Sequence, residues 1–238
     1  MVRAGGRLVN PARRDFLTGL SQVAPVVVAY IPIGLLWGTL AAAKGLSALE
    51  ALMMSVIVFA GSAQFVAVDM WQDPVPVLLL TFTALIINVR HVLMSASLSR
   101  HVEAIPRAWH PLVAYFLVDE SWALAERRVL ETPLTLAYYL GITVPLAATW
   151  WISTGVGAML GRALGDPSAL GLDFAFSAMF IAILMGFWKG PSTAGVLAAS
   201  GAVAAGTHLA FDGPWYIVAG GLAGAVYAFV TWRREEAA

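Results

Sequence analysis

Charge-free stretches divide the chain into long apolar segments joined by short polar connections. Six of these stretches approach or exceed the roughly 20 residues that a helix needs to cross about 30 Å of hydrocarbon. They are residues 16–43, 51–68, 74–89, 132–161, 190–211 and 213–232. The stretch at 74–89 reaches this length only if its helix continues past Arg90 to about Ser99. Two shorter stretches, 108–118 and 174–188, fit tilted spans, half-helices or re-entrant segments. We therefore expect seven or eight membrane segments, all helical.

Composition supports a chain that is embedded in a membrane. Of its 238 residues, 60% are hydrophobic and 12% charged, about half the charged fraction of an ordinary soluble domain. We predict an all-α polytopic membrane bundle, with a transmembrane domain at 16–232 and cytoplasmic tails at 1–15 and 233–238. The absence of cysteine excludes disulfides and thiolate metal sites. The net charge of zero gives no indication of a nucleic-acid partner.

The placement of lysine and arginine predicts which ends face the cytoplasm. We first assume that eight segments cross, starting from the inside. The inner side then holds Arg3, Arg7, Arg13, Arg14, Arg127, Arg128, Lys189, Arg233 and Arg234, and the outer side holds Lys44, Arg100, Arg107 and Arg162. This excess favours cytoplasmic termini. If 108–125 only enters the membrane and returns, the lysine and arginine bias of the later part of the chain reverses and becomes unfavourable.

Residues 31–65 and 148–180 share an order of features that suggests an internal repeat. Each range contains a glycine-spaced apolar helix, a short polar turn with Ser-Ala-Leu and a second apolar helix with a Phe/Ser/Ala patch. Many transporters are built from such repeats, with the substrate site between the two halves. Membrane helices rich in glycine and alanine also resemble one another by composition alone, so both explanations stay open.

Arg90 lies inside an otherwise apolar segment, "TALIINVRHVLM". On a helix, Asn88, His91 and Ser95 share one face, and Arg90 belongs to a second polar stripe beside it. Lipid offers polar groups no partners, so this strip is expected to face the helix bundle or a water-filled path. The alternative is that Arg90 reaches a lipid headgroup, or braces a neighbouring helix through a salt bridge.

Two further groups of polar residues interrupt apolar stretches. In "FAGSAQF", at 59–65, Gln64 follows small residues that allow a ligand to approach closely or the helix to break. The alternative is a helix-packing patch in which Gln64 bonds a neighbour. In "FLVDESWAL", Asp119 and Glu120 point to different helix faces. Either carboxylate is a candidate partner for Arg90, and a solvated loop is the alternative.

Five motifs occur in an order that resembles the AzlC family, the large subunit of two-component branched-chain amino acid exporters. They are "YIPIGLLWG" at 30–38, "FAGSAQF" at 59–65, "NVRHVLMSASLS" at 88–99, "VDESWAL" at 118–124 and "LGLDFAFSAMFIAIL" at 170–184. The resemblance covers about 15–229. It implies a bacterial inner-membrane permease that works with a small hydrophobic AzlD-type subunit. Arg90 and His91 match the family's Asn-x-Arg-His pattern, and Asp119 and Glu120 match its Asp-Glu pair.

A zwitterionic amino acid needs a cation or a helix N-terminus for its carboxylate and acceptors for its ammonium group. It also needs an apolar pocket for an aliphatic side chain. Arg90 is the predicted anchor of the carboxylate. Further polar contacts are expected from Ser62, Gln64, Asn88 and the Asp119–Glu120 pair, and the pocket is expected from Phe59, Phe65 and Met94.

Energy coupling is expected to be passive or driven by an ion gradient. The chain has no Gly-x-x-x-x-Gly-Lys-Ser/Thr loop and no soluble stretch long enough for a nucleotide-binding domain. His91 is the first candidate for proton coupling, because imidazole changes charge between about pH 5 and 8. Asp119 and Glu120 are its rivals, since burial favours the protonated carboxyl group. The alternative for His91 is a simple hydrogen bond to a neighbouring carbonyl.

Two other classes of protein are alternatives to a permease. An intramembrane hydrolase would pair His208 with Ser62 or Ser192. The chain has no Gly-x-Ser-x-Gly nucleophile turn, and its four histidines have no metal-ligand spacing. We therefore expect neither enzymatic activity nor a cofactor. The second alternative is a channel, or an accessory subunit without a substrate site of its own.

Overall fold

A computed structural model describes residues 10–163, 181, 185, 188, 190–211 and 215–236. All regular secondary structure in these ranges is helical, which confirms the all-α prediction. The helices are α1 (Pro11–Ala43), α2 (Ala48–Ile57), α3 (Gly61–Asp69), α4 (Val77–Asn88), α5 (Arg90–Leu98), a 3₁₀ turn (Arg107–Trp109), α6 (His110–Tyr115), α7 (Asp119–Val129), α8 (Leu136–Ala163), α9 (Pro191–Ala210) and α10 (Trp215–Glu236).

Within the described ranges, three helices are long and apolar enough to cross a membrane, judged by length and composition. They are Pro11–Ala43, Val77–Leu98 and Pro191–Ala210. The expected seven or eight segments stay a prediction, and most of 174–188 lies outside the described residues. The helix that begins at Val77 continues past Arg90 to Leu98, as the length of a membrane span requires. Only Val89 separates α4 from α5, and its torsion angles stay helical (φ −52°, ψ −32°).

Backbone contacts divide the chain into two compact units. The first unit comprises Met1–Val68 and Asn88–Leu172, and the second comprises Asp69–Ile87 and Asp173–Ala238. All ten candidate site residues belong to the first unit. The second half of the suggested repeat, 148–180, lies largely outside the described residues, so the repeat stays a prediction.

In the second unit, α9 and α10 pack against each other. Gly220 and Gly224 of α10 face Ser200 of α9, so the two helices approach closely. The Phe82 ring of α4 packs edge-on against Trp215 at the start of α10, with ring centroids 5.3 Å apart. Small residues and aromatic edges therefore hold this unit together.

The first unit is built around α1 and α8, which lie side by side and point in the same direction. Gly19 faces Tyr138 near the start of α8, whereas Gly38 faces Thr154 further along it. At both positions the backbone carbonyl of α8 lies where a side chain would begin, closer than van der Waals contact permits. Reciprocal contacts are made by Gly141 against Phe16 and by Gly157 against Leu35. Only glycine allows two backbones to approach this closely.

A polar cluster closes one end of this helix pair. The Asp15 carboxylate accepts hydrogen bonds from Arg128 at 3.1 Å and from Thr135 at 2.8 Å. The Arg128 guanidinium group also lies over the Tyr138 ring, 4.7 Å from its centroid. We call this end of the first unit the Asp15 end, and the opposite end, where α1 finishes, the Lys44 end.

Candidate functional site

Three non-helical residues, 58–60, interrupt the helix at the FAGSAQF motif and separate α2 from α3. Ser55 and Gln64 are nine residues apart, which is about 13 Å along an uninterrupted helix. Their side chains are nevertheless hydrogen-bonded at 3.0 Å, so the chain folds back at the interruption. The break that the small residues of this motif allowed is therefore present.

A second interruption, at 116–118, separates α6 from α7. The helices α5 and α7 run in the same direction, because Arg90 contacts Asp119 near their starts and Ser97 contacts Glu126 near their ends. The chain must therefore run back alongside α5 in α6 before it returns in α7. This segment is a pair of half-helices with the interruption at its tip.

Both ends of the α6–α7 segment lie at the Asp15 end. A groove of about 560 Å³ is lined by Arg100 and His101 before the segment and by Leu130 and Glu131 after it. The α6–α7 segment therefore begins and ends at the same end of the first unit, which is the geometry of the re-entrant alternative for this stretch. The number of segments that cross the membrane stays a prediction.

Each interruption leaves backbone carbonyl groups without their helical partners, and lipid supplies none. Two aromatic side chains of α8 donate to these groups. The Trp151 indole bonds the Ser55 carbonyl oxygen at 3.2 Å, and the Tyr139 hydroxyl bonds the Val113 carbonyl oxygen at 2.9 Å. Helix α8 therefore supports both interrupted helices from one side.

An aromatic cluster brings the two interruptions together. Phe59 of the first interruption packs edge-on against Phe116 of the second, with ring centroids 6.0 Å apart. Its ring also stacks with Tyr115 at 6.2 Å and lies 6.4 Å from Trp151. The Tyr115 hydroxyl donates to the carbonyl group of Val56. The two tips thus meet over a buried patch of rings.

Arg90 joins the two interrupted helices through its guanidinium group. One terminal nitrogen lies 2.6 Å from an Asp119 carboxylate oxygen at the start of α7. The other donates to the Ser62 hydroxyl, also at 2.6 Å, at the start of α3. The side chains of Arg90 and Asp119 are 36% and 44% exposed. Arg90 therefore braces neighbouring helices rather than reaching a headgroup, and its ion pair is partly exposed at the surface of the chain.

Gln64 is fully buried, and both ends of its amide group have partners. The amide nitrogen donates to Ser55 at 3.0 Å, and the amide oxygen accepts from the Trp150 indole at 2.9 Å. Phe65, beside it, packs on the Trp150 ring at 6.5 Å. This is the bonding expected of the helix-packing alternative for this motif.

Glu120, the neighbour of Asp119, has a different partner. Its carboxylate interacts with the Tyr30 hydroxyl at the middle of α1. The Tyr30 ring packs edge-on against Trp150, with centroids 5.5 Å apart. The two adjacent carboxylates thus face α5 and α1 respectively, as their positions on different helix faces predicted.

The polar strip on α4 and α5 is only partly bonded. The ring nitrogen Nδ1 of His91 lies 3.2 Å from the Asn88 carbonyl oxygen, which is the simple local contact considered for this histidine. The Asn88 side-chain oxygen is buried and has no partner among the described residues. Met94 is buried one turn further along α5. This strip therefore offers an unused acceptor next to Arg90.

The motifs contained residues that were not proposed from the sequence as site residues. Tyr30 is the first residue of the "YIPIGLLWG" motif, and Trp150 lies inside the apolar stretch 132–161. An aromatic residue with a polar edge inside an apolar helix requires a hydrogen-bond partner. That requirement was the available signal, although it does not say which polar group the partner is.

The arrangement of a hydrolase is not formed by the described residues. The Ser62 hydroxyl accepts from Arg90 and not from a histidine. Ser192 and His208 lie on the same helix, α9, about 24 Å apart along its axis. The His208 ring instead packs against Tyr216 at 5.2 Å. Neither proposed dyad therefore has the contact that activates a serine.

Interrupted helices that meet around a charged group, in a chain with long apolar helices, are typical of membrane transporters. The model of one membrane transport family, described as AzlC protein, matches residues 25–164. The chain belongs to the AzlC family, as its motifs predicted.

Individual relatives are named as membrane proteins. The chain is 30% identical to the Inner membrane protein YgaZ of Escherichia coli K12, over 92% of each chain. It is 29% identical to an uncharacterised membrane protein of Archaeoglobus fulgidus, over 88% of this chain and 92% of the relative. It is 24% identical to the Branched-chain amino acid transport protein AzlC of Bacillus subtilis, over 73% of this chain and 68% of the relative. No solved structure matches.

Proposed function

We propose that this chain exports branched-chain or similarly apolar amino acids across the inner membrane through its first unit. The observation that carries the proposal is the position of Arg90, whose guanidinium group joins both interrupted helices through Ser62 and Asp119. The Bacillus subtilis relative is named as a branched-chain amino acid transport protein, which supports this substrate class.

The carboxylate of the substrate binds Arg90 in place of Asp119. The two carboxylates are chemically equivalent, and a guanidinium group offers each the same paired donors. Ser62 stays as the second ligand of Arg90 during this exchange. The unpaired side-chain oxygen of Asn88 is a further hydrogen-bond acceptor beside this site.

The apolar part of the substrate is received by the rings between the two tips. Phe59, Phe65 and Met94 are buried in the closed arrangement, and they form the lining when the tips separate. Gln64 contributes indirectly, because its amide oxygen fixes the Trp150 indole behind these rings.

Proton coupling is assigned to Asp119. Displacement from Arg90 leaves this carboxylate without a cation, and the loss of a neighbouring cation favours the protonated carboxyl group. Proton uptake and substrate binding are thereby linked. Glu120 has a tyrosine rather than a cation as its partner, and His91 already bonds a backbone oxygen, so both are weaker candidates for this role.

Variants of His91 and Asp119 distinguish these assignments. Because substrate and proton are bound together, they leave the cell together against the inward proton gradient, so wild-type efflux should rise when the external pH rises or an uncoupler is added. Asp119→Asn is expected to make efflux insensitive to both, because no carboxylate is left to protonate. His91→Gln is expected to keep the wild-type response. Loss of the pH response in His91→Gln alone would transfer the coupling role to His91.

The Asp15 end is proposed to face the cytoplasm. The basic residues at this end, taking the described residues alone, are Arg13, Arg14, Arg100, Arg107, Arg127 and Arg128, and those at the Lys44 end are Lys44 and Arg162. Cytoplasmic connections carry the excess of lysine and arginine. If all eight segments crossed, Arg100 and Arg107 would lie on the opposite side from Arg127 and Arg128. Because the chain folds back at both interruptions, all four arginines lie on the same side. The two fold-backs together therefore strengthen the charge bias that supports a cytoplasmic N-terminal tail.

A small hydrophobic AzlD-type subunit is part of the proposal. Cells loaded with dipeptides of valine, leucine, isoleucine and methionine would be compared when they produce this chain, the small subunit, both or neither. Efflux of the apolar amino acids is expected to accelerate only when both are present. Efflux by the purified chain alone in liposomes would contradict the need for a partner. No acceleration in any strain would contradict the transport function.

A further inference from the structure

We propose that the Glu120 carboxylate and the Tyr30 hydroxyl bind the ammonium group of the amino acid whose carboxylate occupies Arg90. Asp119 then holds the place of the substrate carboxylate when the site is empty. This inference rests on the proposed function and names the chemistry by which the same site recognises both ends of a zwitterion.

The first support is the unequal pairing of the two adjacent carboxylates. Asp119 is neutralised by Arg90 at 2.6 Å. Glu120 is half-buried, and it interacts with the neutral hydroxyl group of Tyr30 and, through charge, with Arg90. Because Arg90 is already ion-paired with Asp119, the two carboxylates share one cation, which leaves an excess of negative charge at the site. A substrate ammonium group supplies a second positive charge.

The second support is the distance between the two halves of the site. In an α-amino acid a single carbon atom separates the carboxylate from the amino group, so their binding groups must lie within a few ångströms of each other. Asp119 and Glu120 are consecutive residues in the first turn of α7, and the Glu120 carboxylate lies close enough to Asp119 and Arg90 to interact electrostatically with both. A ligand that takes the place of Asp119 on Arg90 is therefore within reach of Glu120.

The third support is the fixed position of Tyr30. Its ring packs edge-on against Trp150, and the Trp150 indole is held in turn by the buried Gln64 amide at 2.9 Å. The hydroxyl group is thereby aimed at Glu120 before any ligand arrives. A prearranged acceptor pair of this kind lowers the cost of ordering the site on binding.

The test is a competition assay in inverted membrane vesicles that contain this chain with its small subunit. Radioactive valine is the substrate, and two probes each keep one end of it. Isovalerate keeps the carboxylate and isobutylamine keeps the amino group. The variants are Tyr30→Phe and Glu120→Gln, and Tyr216→Phe in the second unit is the matched control for the loss of a tyrosine hydroxyl.

Tyr30→Phe is expected to raise the KM for valine about tenfold and to leave the maximal rate close to wild type, which corresponds to ~1.4 kcal/mol of lost binding. Glu120→Gln is expected to raise the KM further and to abolish inhibition by isobutylamine. Inhibition by isovalerate should be unchanged in both variants, because Arg90 still binds its carboxylate. Tyr216→Phe should match wild type throughout.

Two results would overturn the ammonium site while leaving transport intact. One is an unchanged KM for valine in both variants, with wild-type transport still measurable. The other is a parallel loss of inhibition by isovalerate and isobutylamine, which would indicate general distortion of the site. Absence of valine transport by the wild type would instead overturn the proposed function, and the ammonium site with it.

Discussion

Replacing Arg90 with alanine is expected to abolish amino-acid export while the chain still inserts into the membrane. The substitution removes the guanidinium group that joins the two interrupted helices at Ser62 and Asp119, and it leaves the Asp119 carboxylate without its cation. An uncompensated charge in this position costs several kcal/mol of binding or folding free energy, roughly 3–5 for a buried pair and less at this partial exposure. Valine efflux, normalised to the amount of chain in the membrane, measures the effect.

Two further variants sharpen the Arg90 experiment. Arg90→Lys keeps the charge but has no planar fork, so it cannot hold Ser62 and Asp119 in the same way, and a partial loss of export is expected. Arg100→Ala is the matched control, because Arg100 is exposed in the loop after α5 and has no side-chain partner in the described part of the chain. Wild-type export by a well-inserted Arg90→Ala variant would remove Arg90 from the site.

Replacing Gly38 or Gly157 with alanine is expected to destroy most of the folded protein. Both glycines face a backbone carbonyl of the opposite helix, and a methyl group at either position has no space. Overpacking of a well-packed core typically costs about 1–3 kcal/mol and more where backbone must move. The helices α1 and α8 would have to separate, and with them the aromatic donors that support both interruptions. Thermal stability of the detergent-purified chain, followed by gel filtration, measures the loss.

Glycines of the second unit provide the matched controls. Gly206 in α9 and Gly221 in α10 have open space where a side chain would begin. Alanine at these positions is expected to be neutral or slightly stabilising, since alanine favours helix by about 1 kcal/mol over glycine. Equal stability of Gly38→Ala and Gly206→Ala would contradict the close packing of α1 against α8.

The sequence predicted the parts of this site that depend on local properties. A charge inside an apolar helix, small residues before Gln64 and two acidic residues at the start of a half-helix are all visible in a short window. Apolar length correctly required the helix to continue beyond Arg90, because a segment ending at Asn88 is too short to span.

The direction of the α6–α7 segment could not be read from its own residues. Whether a short apolar stretch crosses or returns depends on which groups satisfy its free carbonyls, and here one of them is satisfied by Tyr139, more than twenty residues further along. The role of Tyr30 was hidden for the same reason, since its partner Glu120 is ninety residues away in sequence. Gln64 illustrates the opposite case, in which a polar residue within an apolar stretch proved to be a bonded core residue.

The meeting of two half-helices has an electrical consequence. α2 has 10 residues and α7 has 11, so each is roughly 15 Å long, about half of a hydrocarbon core of about 30 Å. Where their tips touch through Phe59 and Phe116, the two half-helices would meet near the middle of such a core. One elementary charge carried across the whole core does work of about 2.3 kcal/mol per 100 mV. A proton that reaches Asp119 from either side would therefore cross part of the membrane potential before it binds, so the voltage would act on the occupancy of this carboxylate.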